Sequence, residues 1–264
     1  MIWPPCLQTI AFGRDFDSSL DGVRWPPCVR NIVFGTNFNQ TLIGIDWPRG
    51  LTRLHMGWAF NKPVEGVVWP EGLQHITFSH MFDQPIDAAL FPSTLQALEL
   101  GVMFDQDVSG VTWPASLKWL SFGCQFNHTL EHTRFPQGLE GLELGCSWNH
   151  PIAPVELPDN LTSLRLGYDF DQPLDDVSWP RRLSQLSIDD SFNQPLAGVK
   201  WSPSLTSIEI GDAFDQSLRG VQWPIGLKKA VFGTRMDIDR ERSATWPPSL
   251  VELKFGATAL KGTL

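Results

Sequence analysis

The sequence predicts a mainly β chain, a parallel β-solenoid in which about twelve 22-residue coils stack on one another. Two observations predict it. An aromatic or leucine residue, usually followed by proline, recurs every 22 residues, and each interval repeats one apolar pattern. A unit this short cannot bury a core alone, so neighbouring coils must close it off. Only the last step is longer, at 23 residues, in the series Trp3, Trp25, Trp47, Trp69, Phe91, Trp113, Phe135, Leu157, Trp179, Trp201, Trp223 and Trp246.

Each coil is expected to contain one short strand. Apolar residues fall at the opening position and 4, 7, 9, 13, 17 and 20 residues later, and the pattern alternates around positions 7 and 9. Glycine ends this stretch in ten of the twelve coils, and Ser79 and Asp189 replace it in the others. We expect these glycines to stop the strand with a positive φ. The remainder of each coil carries prolines and predicts turns and extended or 3₁₀ segments.

A polar column follows the strand. Position 14 is Asn or Asp in eleven coils, and these two side chains share only an acceptor oxygen, so the column should accept hydrogen bonds from backbone N–H groups in the turn after Phe. The alternative is a calcium ladder from stacked acids such as Asp83 and Asp105. Five coils carry neutral Asn there, and each coil supplies a single ligand, which favours the structural ladder.

The composition of the chain limits the classes of partner that it is expected to bind. The 264 residues include 20 Lys and Arg against 29 Asp and Glu, a net charge of −9, which argues against nucleic acid as the partner. No apolar stretch approaches the length of a membrane span, and the N-terminal residues lack the pattern of a signal peptide. We therefore expect a cytoplasmic chain, or a piece of a longer one, with a single repeat domain over 1–264 and a possible C-terminal cap over 257–264. Open end coils offer a possible route to assembly.

The repeat resembles a known family. The run FNQPLAGVKWSPSL, from Phe192 to Leu205, and its relatives FNQTLIGIDWPRGL and FDQPLDDVSWPRRL are similar to the FNIP repeat, a 22-residue relative of the leucine-rich repeats. Tryptophan before the proline is the departure, since family members often carry Leu there, as Leu157 does here. The resemblance implies a leucine-rich-repeat-like fold and a scaffold that binds other proteins. The F-box and kinase domains sometimes joined to such repeats have no counterpart in this sequence.

Function is expected on the outward strand residues, because the repeating frame does not dictate them. These are the residues 5, 6 and 8 positions after each opening residue. One cluster brings Arg53, His55 and His75 together on coils three and four. A second cluster sets an aromatic residue among charged residues, which is the composition of an interface hot spot. Arg165 lies in the same outward columns. The predicted partner-binding residues of this second group are Glu99, Lys118, Trp119, Glu140, Glu143 and Arg165.

Two other functions stay open at this point. The exposed face is a candidate for binding a glycan or another repetitive surface, and the array is a candidate for a purely architectural segment of a larger assembly. An enzyme is not expected, because the chain lacks nucleophile-elbow, P-loop and H-E-x-x-H motifs and implies no cofactor. The tryptophans that open coils are interpreted as a packed ladder, whereas Trp58 sits alone at a variable turn position.

The cysteines suggest one further site. Cys124, His128, Cys146 and His150 occupy the same two positions of adjacent coils, a spacing that could bring zinc-compatible ligands together, although His here stands in a column that is otherwise mostly Gln. We do not predict a metal, and zinc is the minor alternative. Cys6 and Cys28 are a second stacked pair, expected to be reduced in a chain without a secretion signal.

Overall fold

The computed structural model describes residues 3–237, 244–256 and 258–259, and it places one strand in each coil. Among these residues, no helix is long and apolar enough to cross a lipid bilayer. The chain divides into two compact units, Met1–His128 with Thr133–Leu139 and Thr129–His132 with Glu140–Leu264. A single repeat domain over 1–264 stays a prediction.

The first unit contains six strands that pair in chain order, all parallel and each offset by one coil, so that Thr9 lies beside Asn31 and Arg53 beside His75. This is the sheet that the 22-residue spacing predicts. The strands are β1 (Thr9–Ala11), β2 (Asn31–Val33), β3 (Arg53–His55), β4 (His75–Thr77), β5 (Ala97–Glu99) and β6 (Trp119–Ser121).

The second unit repeats the same parallel order. A short final strand then turns back and pairs antiparallel with the one before it. That strand falls within the predicted cap over 257–264, of which residues 257 and 260–264 lie outside the described part of the chain. The strands are β7 (Gly141–Glu143), β8 (Ser163–Leu166), β9 (Gln185–Ile188), β10 (Ser207–Ile210), β11 (Lys229–Phe232), β12 (Glu252–Phe255) and β13 (Thr258–Ala259).

The core follows the apolar pattern of the sequence. In the third coil every predicted core position is buried, namely Trp47, Leu51, Leu54, Met56, Phe60, Val64 and Val67. The position-13 aromatics stack between successive coils with ring centroids 5.9–6.2 Å apart in the first unit, from Phe16 to Phe126. In the second unit Trp148 takes the place of Phe and stacks on Phe170 at 5.6 Å. Each coil therefore completes its core with the rings of its neighbours.

The structure corrects the prediction that the strand-ending glycines have a positive φ. Positive φ angles occur at a different turn, three residues before the next opening residue, as at Gly44 and Gly66; the strand-ending Gly57 is not among them. Gly57 has another constraint, because a Cβ built on it would lie 1.8 Å from the backbone oxygen of Gly35 in the coil before. These glycines therefore let successive backbones approach closely, and the expectation of a positive φ is wrong except at Gly256, where φ is 59°.

The Asn/Asp column forms the predicted acceptor ladder, with the donor in the next coil. In the first unit, each side-chain Oδ1 accepts the backbone N–H of the same position one coil later at 2.8–3.0 Å. The following Gln adds a second donor, as where Gln84 Nε2 donates to Asn61 Oδ1 at 2.9 Å. These bonds, the Asn39 N–H first and Gln40 second, lower the pKa of Asp17. The ladder explains why the repeat needs Asn or Asp followed by Gln.

The opening tryptophans pack as predicted. Trp25 and Trp47 stack with centroids 6.1 Å apart in the first unit, as do Trp179 and Trp201 in the second. Within the described residues, seven of these indoles have a buried Nε1–H without a hydrogen-bond partner, including that of Trp69. The ladder therefore uses indole for its area and its stacking rather than for its donor group.

Candidate functional site

The outward residues of β3, β4 and β5 form the first candidate site. Their central residues Leu54, Ile76 and Leu98 are buried in the core, so that the residues on either side point outward. The strand register sets those outward residues in two rows of three. One row is Arg53, His75 and Ala97, and the other is His55, Thr77 and Glu99.

Differences in side-chain length turn this grid into a depression. Thr77 and Ala97 are short, whereas the side chains around them are long. Their neighbours enclose a depression of about 220 Å³, hereafter the β3–β5 depression, lined by Arg53, His55, His75, Ile76, Thr77, Ala97 and Glu99. The structure thus brings together the predicted cluster of Arg53, His55 and His75, and it adds Glu99 from the second predicted cluster.

The charge of the depression depends on the protonation of His75. Burial lowers the pKa of His75, and the nearby Arg53 and His55 lower it further, while Glu99 acts in the opposite direction. His75 is therefore neutral at pH 7, and it gains its charge only below the ordinary histidine range. At neutral pH the guanidinium of Arg53 faces one carboxylate, and acidification adds positive charge to the wall that Arg53 and the two histidines share.

The sheet face of the first unit is basic, although the chain as a whole carries −9. Its outward strand columns include three cations, Arg30, Arg53 and Lys118, against one acid, Glu99, and all four side chains are exposed. An acidic chain that concentrates cations on one face favours an acidic partner at that face.

The second predicted cluster is divided between the two units. In the first unit, Trp119 pairs with Ala97 across the sheet and is half-buried rather than exposed as expected. In the second unit, Glu140 is exposed, and Glu143 lies beside Arg165. Arg165 donates from Nε and Nη2 to Asp189 Oδ2 at 3.2 and 3.0 Å, a pairing that raises its pKa. A role for these residues in binding a partner stays a prediction.

The state of Cys124 and Cys146 argues against the alternative of a zinc site. Cys124 of the first unit is disulfide-bonded, and so is Cys146 of the second. A disulfide sulfur is not the thiolate that zinc requires. His128 takes the role of the ladder Gln, because its Nε2 lies 3.0 Å from the Asp105 carbonyl oxygen. Among the described residues, no group of three or more His, Cys, Asp or Glu side chains is arranged to hold a metal ion.

The cysteine pair of the first two coils is different. Cys6 and Cys28 are free and exposed. That they are reduced in the cell stays a prediction.

The structure shows a second surface, of which the sequence had indicated only Trp58. The two residues after each strand-ending glycine are polar in the first two coils but largely apolar in the next three. There Trp58 is 52% exposed and stacks on His80 with ring centroids 3.8 Å apart. We call this surface the post-strand ridge, and its residues are Trp58, His80, Met81, Val102 and Met103. The contrast with the polar residues of the first two coils is the signal that could have found it.

Comparisons with known proteins agree with this architecture. The family model of the FNIP repeat matches residues 60–103 and 148–191. The structure is similar to that of CroV588, described as a novel circular LRR protein, with 28% identity and a TM-score of 0.71 over 99% of this chain and 45% of that one. This chain thus spans less than half the length of CroV588. No curated protein matches the sequence.

Two bacterial proteins share the fold at lower identity. An internalin, InlF, from Listeria monocytogenes has 15% identity and a TM-score of 0.58 over 86% of this chain and 67% of its own. YopM from Yersinia enterocolitica has 18% identity and a TM-score of 0.50 over 97% of this chain and 61% of its own. Such identities show the arrangement of the coils and nothing about ligands.

Proposed function

We propose that this chain, in which two segments match the FNIP repeat and whose fold is leucine-rich-repeat-like, is a non-enzymatic scaffold that binds a protein partner through the exposed sheet face of its first unit. The fold itself is typical of scaffolds. The observation that carries the proposal is the β3–β5 depression, where three cationic or titratable residues and one acid lie together, whereas the strand residues at the same outward positions of β2 and β6 are uncharged.

The size of the depression favours a side chain over a free ligand. Pockets for small molecules usually enclose about 300–1,000 Å³ and cover most of the ligand. The β3–β5 depression encloses about 220 Å³ and opens on a sheet surface. It therefore suits one side chain presented by a larger partner.

The charge of the depression favours an acidic side chain. Arg53 offers a planar guanidinium that forms two parallel bonds with a carboxylate. His55 and His75 line the same depression and supply further nitrogen donors, and Thr77 supplies a hydroxyl between His55 and Glu99. Glu99 at the other side of the depression selects against a second acid there.

A paired screen tests the proposal. The protein is screened against a phage-displayed library of random ten-residue peptides and, separately, against a glycan array. We expect peptides that contain Asp or Glu to be enriched and Arg53→Gln to remove their binding. Lys229→Gln is the control, since Lys229 occupies the same repeat position in the second unit. Binding to glycans without peptides, or peptide binding that survives Arg53→Gln, would contradict the proposal.

A further inference from the structure

The post-strand ridge exposes more apolar surface than its repeat position requires. Trp58, Met81, Val102 and Met103 are 39–52% exposed on three consecutive coils. The same positions hold Arg14 and Asp15 in the first coil, so the frame accepts polar residues there. Contiguous exposed apolar surface of this kind marks an interaction site more often than chance.

The backbone of the ridge is held by hydrogen bonds between adjacent coils. The loops that carry it are joined by backbone hydrogen bonds, from Met81 N to Trp58 O at 3.0 Å and from Met103 N to His80 O at 2.9 Å. The indole of Trp58 is held by its stack on His80. A side chain that docks here therefore meets a preformed surface, and little ordering opposes its binding.

The location of the ridge connects it with the β3–β5 depression. Both depart from the repeat on the same three coils, although they occupy different positions within each coil. His55 at the depression and Trp58 on the ridge are three residues apart, and three residues span at most about 10 Å. One extended segment of a partner can therefore reach both surfaces.

Resting on the function proposed above, we propose that the ridge and the depression together recognise one extended segment of a partner protein, in which an acidic residue precedes or follows an apolar residue by three or four positions. The acidic side chain enters the β3–β5 depression beside Arg53. The apolar side chain packs on Trp58 and on the adaptable methionines Met81 and Met103. An extended chain advances about 3.3–3.6 Å per residue, so three or four positions cover the span of at most about 10 Å between the backbones of His55 and Trp58.

A peptide array tests the spacing. Twelve-residue peptides carry one Glu and one Trp, Leu or Met moved from one to seven positions away, with Gly, Ser, Thr and Asn elsewhere, and a second array replaces Glu by Gln. Fluorescently labelled protein is applied to both. We expect the strongest signal at separations of three and four, and its loss on the Gln array.

Matched variants separate the ridge from the depression. Trp58→Ala should weaken the best peptides at least about tenfold, as for a truncated hot-spot aromatic. Tyr168→Ala is the control, because Tyr168 has the same repeat position and the same 52% exposure in the second unit. It should leave binding unchanged.

The other outcomes are equally informative. Sensitivity to Arg53→Gln without sensitivity to Trp58→Ala or to spacing would overturn the ridge and leave the scaffold function standing. Insensitivity to both variants would overturn the two proposals together. Dimerisation of the chain in gel filtration that Trp58→Ala abolishes would assign the ridge to a second copy and overturn the partner segment.

Discussion

Replacing Gly57 with alanine should separate two coils. The added Cβ would lie 1.8 Å from the Gly35 oxygen and 2.9 Å from its carbonyl carbon, whereas ordinary contact begins near 3.4 Å. Relief of the closer contact needs a displacement of about 1.6 Å, the difference between 3.4 and 1.8 Å. The atoms that collide are backbone on both sides, so no side-chain rotation can absorb the change.

Two hydrogen bonds flank that contact and set the magnitude. Phe34 N donates to His55 O at 2.9 Å, and Ala59 N donates to Thr36 O at 2.8 Å. A displacement of that size would stretch both bonds beyond the usual limit of about 3.2 Å. Each lost bond costs about 0.5–1.5 kcal/mol, and loosened core packing adds about 1–3 kcal/mol. The free energy of unfolding should fall by about 2–6 kcal/mol.

The control lies in the same coil. Gly66 has a φ of 75°, and a Cβ there meets nothing within 4 Å, so Gly66→Ala should cost only the left-handed conformation, about 1–2 kcal/mol. Urea unfolding followed by circular dichroism compares the two variants. If Gly57→Ala is no less stable than Gly66→Ala, close approach is not what requires glycine at the strand end.

Three other predictions concern single positions. Asn61→Ala should lower the free energy of unfolding by about 1–3 kcal/mol in urea, because two donors of the next coil lose their acceptor, whereas Asn61→Asp should be nearly neutral. Lowering the pH from 7.5 to below the ordinary histidine range should tighten binding of an acidic peptide in fluorescence anisotropy, since His75 gains its charge there, and His75→Gln should reduce that dependence. In the absence of ligand, the lowered pKa of His75 means that its protonation opposes folding. The free energy of unfolding should therefore decline as the pH falls below about 6.5. Trp69→Phe should lower the free energy of unfolding by about 1–3 kcal/mol in urea, because the smaller ring keeps the stack on Phe91 but leaves part of the buried indole volume empty, while loss of the unpartnered Nε1–H costs nothing.

The sequence predicted what one coil shares with all the others. The period places like residues side by side, and it therefore predicted that Arg53 lies next to His75, as it does. The core positions and the acceptor column followed from the same regularity. Each of these features depends only on a residue and its copy one coil away.

The sequence was less informative where unlike residues of adjacent coils meet. The β3–β5 depression exists because Thr77 and Ala97 are shorter than their neighbours, a property of the grid rather than of one coil. Trp119 was predicted to bind a partner because it is an aromatic residue among charged ones, yet it is half-buried, while Trp58 is exposed. The glycine prediction failed for a related reason, since the constraint on Gly57 comes from the backbone of the preceding coil and not from its own turn.

Departures from a repeat are informative when they coincide. A single variable column is weak evidence for binding, because the frame tolerates many residues there. On coils three to five, however, the sheet face gains Arg53 and His75 while the post-strand loops gain Trp58 and Met81, at positions that no shared packing requirement links. The corresponding residues of the second unit, Lys229 and Tyr168, lie on different coils. A partner that covers one stretch of the array would alter both surfaces on the coils it touches and leave the remaining coils free to differ.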